Sequence, residues 1–213
     1  MALLDESAKS KIKEFLTDME DEVQIEFFTQ EIECNNCKQT HQFLTEVAEL
    51  SNNLSMTVYD FVENEDIAKE KGIERIPAVT LLDKDGNDYG IKFYGVPGGY
   101  EVNSFLKAIL EVSGNEEEID DEIMERINNI GQKVNIKVFV SLSCPYCPKA
   151  VQNAHTLALK NENITGEMIE TSSFPELTNK YNVSGVPQIV INEENELVGA
   201  QPITKFLDII ESL

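Results

Sequence analysis

All four cysteines of this 213-residue chain fall in two CxxC pairs, Cys34 with Cys37 and Cys144 with Cys147. Two thiols at this spacing lie about one helical turn apart, so they can close and reopen a disulfide. A cysteine in the first turn of a helix also meets unpaired N–H groups and the positive end of the helix dipole, which favour the thiolate. The spacing therefore predicts dithiol–disulfide exchange. The first cysteine of each pair is expected to be the exposed nucleophile and the second to resolve the mixed disulfide.

Metal binding is the main competing interpretation of these cysteines. A zinc ribbon needs its two CxxC pairs about 15–20 residues apart, whereas 106 residues lie between Cys37 and Cys144. Each pair is also expected to follow a strand and to open a helix. No metal site is therefore predicted, although structural zinc stays open as an alternative.

The two pairs lie 110 residues apart, about half the chain, and the sequence repeats at that distance. Ile76-Pro77 shifted by 110 residues falls on Val186-Pro187, so each proline follows the first cysteine of its pair by 43 residues. Upstream of the cysteines the best offset is 111, where Phe28 meets Phe139, because the first half has one extra residue within 29–33. The repeat predicts two domains, residues 1–114 and residues 115–213, each carrying one CxxC pair.

The same order of elements is predicted in both halves: helix, strand, helix, strand, helix, strand, strand, helix. Apolar residues at helical spacing indicate helices over Ser7–Met19 and Glu116–Ile130. Runs rich in β-branched and aromatic residues indicate strands that lead into the two cysteine pairs. The acidic residues Glu116–Glu122 are interpreted as the first turns of the second opening helix, with a flexible acidic linker as the alternative. The predicted strands flanking the two pairs and the two prolines are Val23–Phe28, Val134–Val140, Met56–Phe61, Glu167–Thr171, Ala78–Leu82 and Gln188–Ile191.

A strand, a CxxC pair, a helix and a distant proline before another strand together resemble the thioredoxin superfamily. Cys144-Pro145-Tyr146-Cys147 is the glutaredoxin form of the motif, and two such units in one chain resemble the glutaredoxin-like protein disulfide oxidoreductases of archaea and some bacteria. The resemblance implies an α/β fold of two tandem thioredoxin-like domains, each a central mixed β-sheet flanked by helices. It implies disulfide-containing client proteins as substrates and electrons from a thioredoxin-reductase-like flavoprotein. No cofactor beyond the redox-active disulfides is implied.

The resemblance also implies roles for residues outside the cysteine pairs. Pro77 and Pro187 are expected to be cis and to pack against the disulfides, where each presents backbone for pairing with a client. Ile76 and Val186, which precede them, are included in this predicted client-binding surface. Tyr146 is expected at the rim of the second site, where its ring shapes a groove. In the resembling family the second site carries more of the activity.

Two features depart from the family pattern. Asn35-Asn36 replaces the proline-containing or aromatic dipeptide that is common between the cysteines, so the two sites are expected to differ in reduction potential. A Gly-Gly segment that holds glutathione in glutaredoxins has a counterpart in Gly98-Gly99, whereas the second half has Gly199-Ala200. Glutathione use is therefore doubtful at the second site. An iron–sulfur cluster, which some glutaredoxins bridge between subunits, stays open as a further alternative.

Three other polar residues near the pairs are assigned structural roles. Glu26 could be the buried carboxylate that thioredoxins keep beneath the disulfide, but an exposed strand face is favoured. Its counterpart in the repeat is Lys137, which could not act in this way. His41 and His155 occupy positions that do not correspond in the repeat, so both are expected to be ordinary helix residues.

The charge balance excludes several kinds of partner. The chain has 39 acidic against 17 basic residues, a net charge of -22, which repels phosphate backbones and anionic lipid surfaces. No basic and apolar leader is recognised at the start, so the cytosol is the expected compartment. In that compartment paired cysteines are expected to be redox-active dithiols rather than structural disulfides. Two alternatives stay open: a dedicated electron relay from a flavoprotein reductase to a peroxiredoxin, and a client-binding module whose cysteines are incidental.

Overall fold

A computed structural model describes residues 3–32 and 34–213, and its helices and strands follow the predicted order twice. A short 3-10 turn, Gly99–Glu101, is added before the last helix of the first half. The repeat places one extra residue of the first half within 29–33, and this range includes Glu33, which lies outside the described residues. The first half comprises α1 (Glu6–Leu16), β1 (Val23–Thr29), α2 (Cys37–Ala48), β2 (Leu54–Asp60), α3 (Glu65–Glu70), β3 (Ala78–Leu82), β4 (Asp88–Tyr94) and α4 (Val102–Val112). The second half comprises α5 (Asp121–Asn128), β5 (Val134–Val140), α6 (Cys147–Lys160), β6 (Ile164–Glu170), α7 (Pro175–Lys180), β7 (Gln188–Ile191), β8 (Asn195–Val198) and α8 (Ile203–Ile210).

The two halves share one mixed sheet of eight strands in the order β2-β1-β3-β4-β6-β5-β7-β8. Parallel pairing of β4 with β6 joins them, with Ile91 opposite Gly166 and Tyr94 opposite Ile169. The pairings make β1 and β5 run in the same direction, so both strands end at the same edge of the sheet. β5 is the fourth strand along from β1 in the sheet, so the two strands lie about 19 Å apart at about 4.8 Å per strand.

Each face of the sheet carries its own layer of helices because alternate strand residues point to opposite faces. In β1, Ile25 and Phe27 enter the larger core with side chains of α2, α4 and α6, whereas Phe28 enters the smaller core beneath α3 and α7. Both CxxC helices therefore lie on one face of the sheet. The predicted α/β fold of two tandem thioredoxin-like units is confirmed.

The junction between the two halves is the contact of β4 with β6 and the helices that cover it. Helix α6 of the second half packs there on β4 and α4 of the first half. His155 lies there with 1% of its surface exposed, its ring 4.6 Å from that of Phe93 and its Nε2 3.3 Å from the Lys92 carbonyl oxygen. The approach of α6 to the sheet requires Gly166, since a Cβ there would lie 2.7 Å from the Ala154 carbonyl oxygen. The halves are thus packed together, not loosely tethered.

The acidic segment between the halves differs from its prediction. Helix α5 begins only at Asp121, where the Asp120 side chain accepts the backbone N–H of Glu122 as an N-cap. The preceding acids pair instead with lysines of the two halves: Glu116 with Lys160, and Glu117 with Lys107 at 2.9 Å. A helix starting at Glu116 is therefore wrong, because residues 115–120 form neither helix nor strand and their acids pair with lysines of both halves. The boundary at 114/115 stays a prediction. Among residues 3–32 and 34–213, no helix is long and apolar enough to cross a membrane.

Candidate redox sites

Each CxxC pair is closed as a disulfide between a strand end and a helix start. Cys34 is bonded to Cys37 and Cys144 to Cys147, with a Cα–Cα distance of 5.5 Å in both. The second cysteine is the first residue of its helix, and the first cysteine lies in the turn before it. The prediction that the first cysteine occupies the first helical turn is therefore wrong by three residues. It still lies near the N-terminal end, where unpaired N–H groups favour a thiolate.

Exposure distinguishes the two cysteines of each pair. Cys34 is half-buried, whereas Cys37 is 3% exposed. Cys144 is 8% exposed and Cys147 is fully buried. The first cysteine is the more accessible one at each site, as expected. Cys144 is nevertheless buried rather than exposed, because the Val186 loop lies against it.

Both prolines of the repeat lie beside these turns in the cis form, as the resemblance implied: Ile76-Pro77 and Val186-Pro187 are cis. The sulfur of Cys144 lies 3.8 Å from the Val186 carbonyl oxygen, which places that loop directly on the disulfide. Pro77 and Pro187 are buried, whereas Ile76 and Val186, which precede them, are half-buried. A client pairing with the backbone of Ile76 or Val186 stays a prediction.

The surroundings of the two disulfides differ. A groove of 760 Å³ opens beside the first pair and is lined by Lys38, His41 and Val58 together with both cysteines. Next to it, Ile32 and Val62 are 75% and 71% exposed. At the second pair Tyr146 is 70% exposed, and its place at the rim of a client groove stays a prediction. Sequence reasoning missed Ile32 and Val62 because isolated apolar residues in loops carry no periodic pattern.

Glu101 is a buried carboxyl in the turn next to the loop that enters the second pair, and sequence reasoning also missed it. It belongs to the 3-10 turn that contacts α6. Tyr100 N–H donates to the Leu142 carbonyl oxygen at 3.0 Å, which fixes that turn against the loop entering the second site. Glu101 is 0% exposed, its Oε1 has no hydrogen-bond partner, and its Oε2 accepts the Ser104 hydroxyl. Burial raises the pKa of Glu101 to about 7.

The segment considered for glutathione binding makes this same contact. Gly99 has a φ of +57°, and a Cβ there would lie 2.3 Å from the Leu142 carbonyl oxygen. Gly99 therefore allows the first half to approach the loop that leads to the second pair. Glutathione use at either site stays an untested expectation.

Glu26 differs from the favoured interpretation. It is 3% exposed rather than on an exposed strand face, and it pairs with Lys71 at 3.4 Å and accepts the Thr80 hydroxyl at 3.1 Å. It shares the face of Phe28, opposite to α2, so it does not lie beneath the first disulfide. Lys137 at the matching position is also buried and pairs with Glu193 at 2.7 Å. The alternation of polar and apolar residues along the strands could not reveal that Glu26 and Lys137 are buried, because helices cover both faces of the sheet.

Both histidines are helix residues, as expected, but His41 is exposed and His155 is buried. His41 is exposed on α2 with its ring 5.6 Å from that of Phe27, at the wall of the first groove. Burial lowers the pKa of His155 to about 3, so this side chain packs the junction as a neutral imidazole. Within residues 3–32 and 34–213 no group of three or more His, Cys, Asp or Glu side chains could hold a metal ion.

Comparison with known proteins shows the family of the chain. A thioredoxin domain model matches residues 22–107 and 134–211, one match for each half. The chain is 31% identical over 192 residues to the F subunit of the alkyl hydroperoxide reductase of Staphylococcus aureus, covering 90% of this chain and 34% of that protein. It thus spans about a third of the length of the curated relatives it matches.

Two solved structures are similar over nearly the whole chain. The NTD_N/C domain of alkylhydroperoxide reductase AhpF from Enterococcus faecalis has a TM-score of 0.91 and 28% identity, covering 97% of this chain and 99% of that one. A protein disulfide oxidoreductase from Aeropyrum pernix has a TM-score of 0.91 and 29% identity, covering 99% of this chain and 94% of that one. The predicted resemblance to the latter class is confirmed.

Proposed function

Because the chain belongs to the thioredoxin domain family, we propose that it is a protein dithiol–disulfide oxidoreductase with two working CxxC sites. One observation carries the proposal: each half holds a closed CxxC disulfide at a helix start, and both disulfides lie at the same edge of one sheet. The Aeropyrum pernix protein disulfide oxidoreductase shares this architecture across almost its full length. If only one pair were functional, the equivalent placement of the other closed pair would have no explanation.

The chemistry follows thiol–disulfide exchange. In the reduced protein, the Cys144 thiolate attacks one sulfur of a client disulfide, and the other client sulfur leaves as a thiolate. Cys147 then attacks Cys144, which releases the second client thiol and reforms the disulfide. The client gains two electrons and two protons, and the protein loses them. Cys34 and Cys37 perform the same steps at the first site.

Glu101 is our candidate for the proton acceptor at the second site. Cys147 is fully buried, so its thiol needs a base within the protein before it can attack. The turn that carries Glu101 contacts the helix that Cys147 opens, and a pKa of about 7 suits proton exchange near neutral pH. The burial of its unpaired Oε1 supports this role.

The partners and compartment are part of the proposal. We infer that the clients are proteins with accessible disulfides, that a thioredoxin-reductase-like flavoprotein restores the dithiols, and that the protein works in the cytosol. Two sites in one chain would also allow isomerisation, since one can hold a mixed disulfide while the other dithiol acts.

Insulin-disulfide reduction by dithiothreitol tests the activity. We expect wild type to accelerate it and the Cys34→Ser, Cys144→Ser double variant to show only the uncatalysed rate. Cys144→Ser alone is expected to lose more activity than Cys34→Ser. Wild type at the uncatalysed rate would refute the oxidoreductase proposal.

A second candidate function is an electron relay to a peroxiredoxin, and the Staphylococcus aureus and Enterococcus faecalis similarities favour it. In flavoproteins of that kind one thioredoxin unit has lost its cysteines, whereas this chain keeps both pairs. The relay predicts that peroxide-dependent NADH oxidation by a flavoprotein and a peroxiredoxin requires the chain, while insulin is a poor substrate. A redox-independent client-binding module instead predicts equal binding of unfolded protein by wild type and a variant with all four cysteines replaced by serine.

A further inference from the structure

The turn between Cys34 and Cys37 is tied to the other half of the molecule. The side-chain amide of Asn36 donates to the Ser173 hydroxyl oxygen at 2.6 Å. Ser173 lies between β6 and α7 of the second half, 137 residues further along the chain. The bond therefore joins the first redox pair directly to a loop of the neighbouring unit.

Asn36 uses its side chain for this bond instead of capping its own helix. It is the N-cap residue of α2, and asparagine is among the preferred N-caps because its side chain accepts an N–H of the first turn. Here the side chain makes no such bond. The helix start is held by the Asn36 carbonyl, which accepts the Thr40 N–H at 2.9 Å and the Thr40 hydroxyl at 2.8 Å. The amide is thus directed across the junction.

Ser173 is itself held by a buried carboxylate. Glu170, 3% exposed, accepts the Ser173 N–H at 2.7 Å and also its hydroxyl. Since the hydroxyl hydrogen is used by Glu170, the oxygen lone pairs of Ser173 are left to accept from Asn36. Gly95 makes room for this arrangement, because a Cβ there would lie 2.6 Å from the Glu170 Cβ. In the chain from Asn36 through Ser173 to Glu170, each hydrogen bond polarises the next and strengthens it.

We infer that Ser173 is a positioning residue for the first redox pair, which acts through Asn36 to stabilise the closed disulfide and lower its reduction potential. This deepens the proposed function and rests on it. The closed disulfide holds the turn at a Cα–Cα distance of 5.5 Å, and the Asn36 bond forms in that state. Reduction frees the turn, so the bond is weaker in the dithiol. At the second pair the matching residue, Tyr146, is 70% exposed and has no such role.

The test is a glutathione redox titration of the full chain with all four cysteines. Two glutathione thiols supply two electrons and two protons, which gives one glutathione disulfide and one cysteine dithiol. Differential alkylation and mass spectrometry report each pair separately. Ser173→Ala and Asn36→Ala are each expected to raise the equilibrium constant for reduction of the first pair two- to tenfold, about 10–30 mV. The second pair should not shift.

Controls separate this effect from a general loosening of the loop. Ser172→Ala removes the hydroxyl of Ser172, which also donates to Glu170 but does not contact Asn36, so no shift is expected. Ser173→Thr, which keeps the hydroxyl, should retain the wild-type potential. The double Ser173→Ala, Asn36→Ala variant should shift no more than either single one.

Three results would overturn the inference: an unchanged first pair in Ser173→Ala, equal shifts at both pairs, or additive shifts in the double variant. Failure of the proposed function has a different signature. A wild-type chain that titrates reversibly but does not accelerate insulin reduction would refute the activity on clients and leave the positioning role intact.

Discussion

Acidification is predicted to weaken the junction between the halves through His155. Its ring is packed between α6 and β4, Nε2 lies 3.3 Å from the Lys92 carbonyl oxygen, and Nδ1 is buried without a hydrogen-bond partner. A charged imidazole would be buried there with one N–H unsatisfied. Burial accordingly lowers the pKa of His155 to about 3, against about 6.5 in the unfolded chain.

The direction and size of the change in the free energy of unfolding follow from proton linkage. Because the folded pKa is the lower one, the unfolded chain binds the proton first, and stability is fully present above pH 6.5 and falls as pH drops towards 3. At about 1.36 kcal/mol per pH unit, the contribution of His155 to the free energy of unfolding should fall by about 2 kcal/mol between pH 7.5 and pH 5. Glu101 acts in the opposite direction, because its raised pKa makes the folded protein bind a proton as pH falls through 7.

Comparison with His155→Leu isolates the histidine, because Glu101 is common to both proteins. Urea unfolding followed by circular dichroism at pH 7.5 and pH 5.0 gives the free energy of each. The stability advantage of wild type over His155→Leu should shrink by about 2 kcal/mol at the lower pH. The same difference at both pH values would refute the reasoning, since it would mean that His155 titrates normally in the folded protein.

Three further predictions concern the two sites. Glu101→Gln should slow turnover at the second site by roughly tenfold or more and abolish a rate increase centred near pH 7, measured with Cys34→Ser as the background; an unchanged pH profile would exclude it as the base. Ile32→Asp and Val62→Asp should raise the KM for an unfolded client several-fold at the first site and leave the second site unchanged, because they remove exposed apolar contact surface. If both sites respond equally, that surface does not serve the first pair. Gly99→Ala should destabilise the protein by about 1–3 kcal/mol, because the added Cβ would meet the Leu142 carbonyl oxygen and the φ is positive; thermal unfolding with an unchanged midpoint would contradict the close approach.

The repeat explains why the fold could be predicted so far from sequence. Local periodicity identified strands such as Val134–Val140 with the observed bounds, and the second copy of each pattern checked the first. The cis prolines came from the family resemblance, because spacing alone does not specify a cis bond. Each of these features depends on local sequence or on a motif shared by the two halves.

The remaining features depend on contacts between elements that are distant along the chain, which the repeat does not encode. The burial of Glu26 and the near-neutral pKa of Glu101 arise where helices cover the sheet and where the 3-10 turn meets α6. The acidic linker was mistaken for helix because its lysine partners, Lys107 and Lys160, lie outside the segment itself. The Asn36–Ser173 bond joins residues that do not correspond in the repeat. The features that sequence reasoning missed therefore arise from contacts between residues that are distant along the chain and from exposed loops without a periodic pattern.

Trapping of mixed disulfides tests most directly whether both sites work. Without its resolving cysteine, a site that attacks a client cannot release it, so reduced Cys37→Ser should form a covalent client adduct at Cys34, and Cys147→Ser should form one at Cys144. Mass spectrometry identifies the bonded cysteine, and the variant lacking all four cysteines gives the background. The account predicts a dithiothreitol-sensitive adduct in both variants. An adduct in neither variant, or in only one of them, would contradict two working dithiol–disulfide sites.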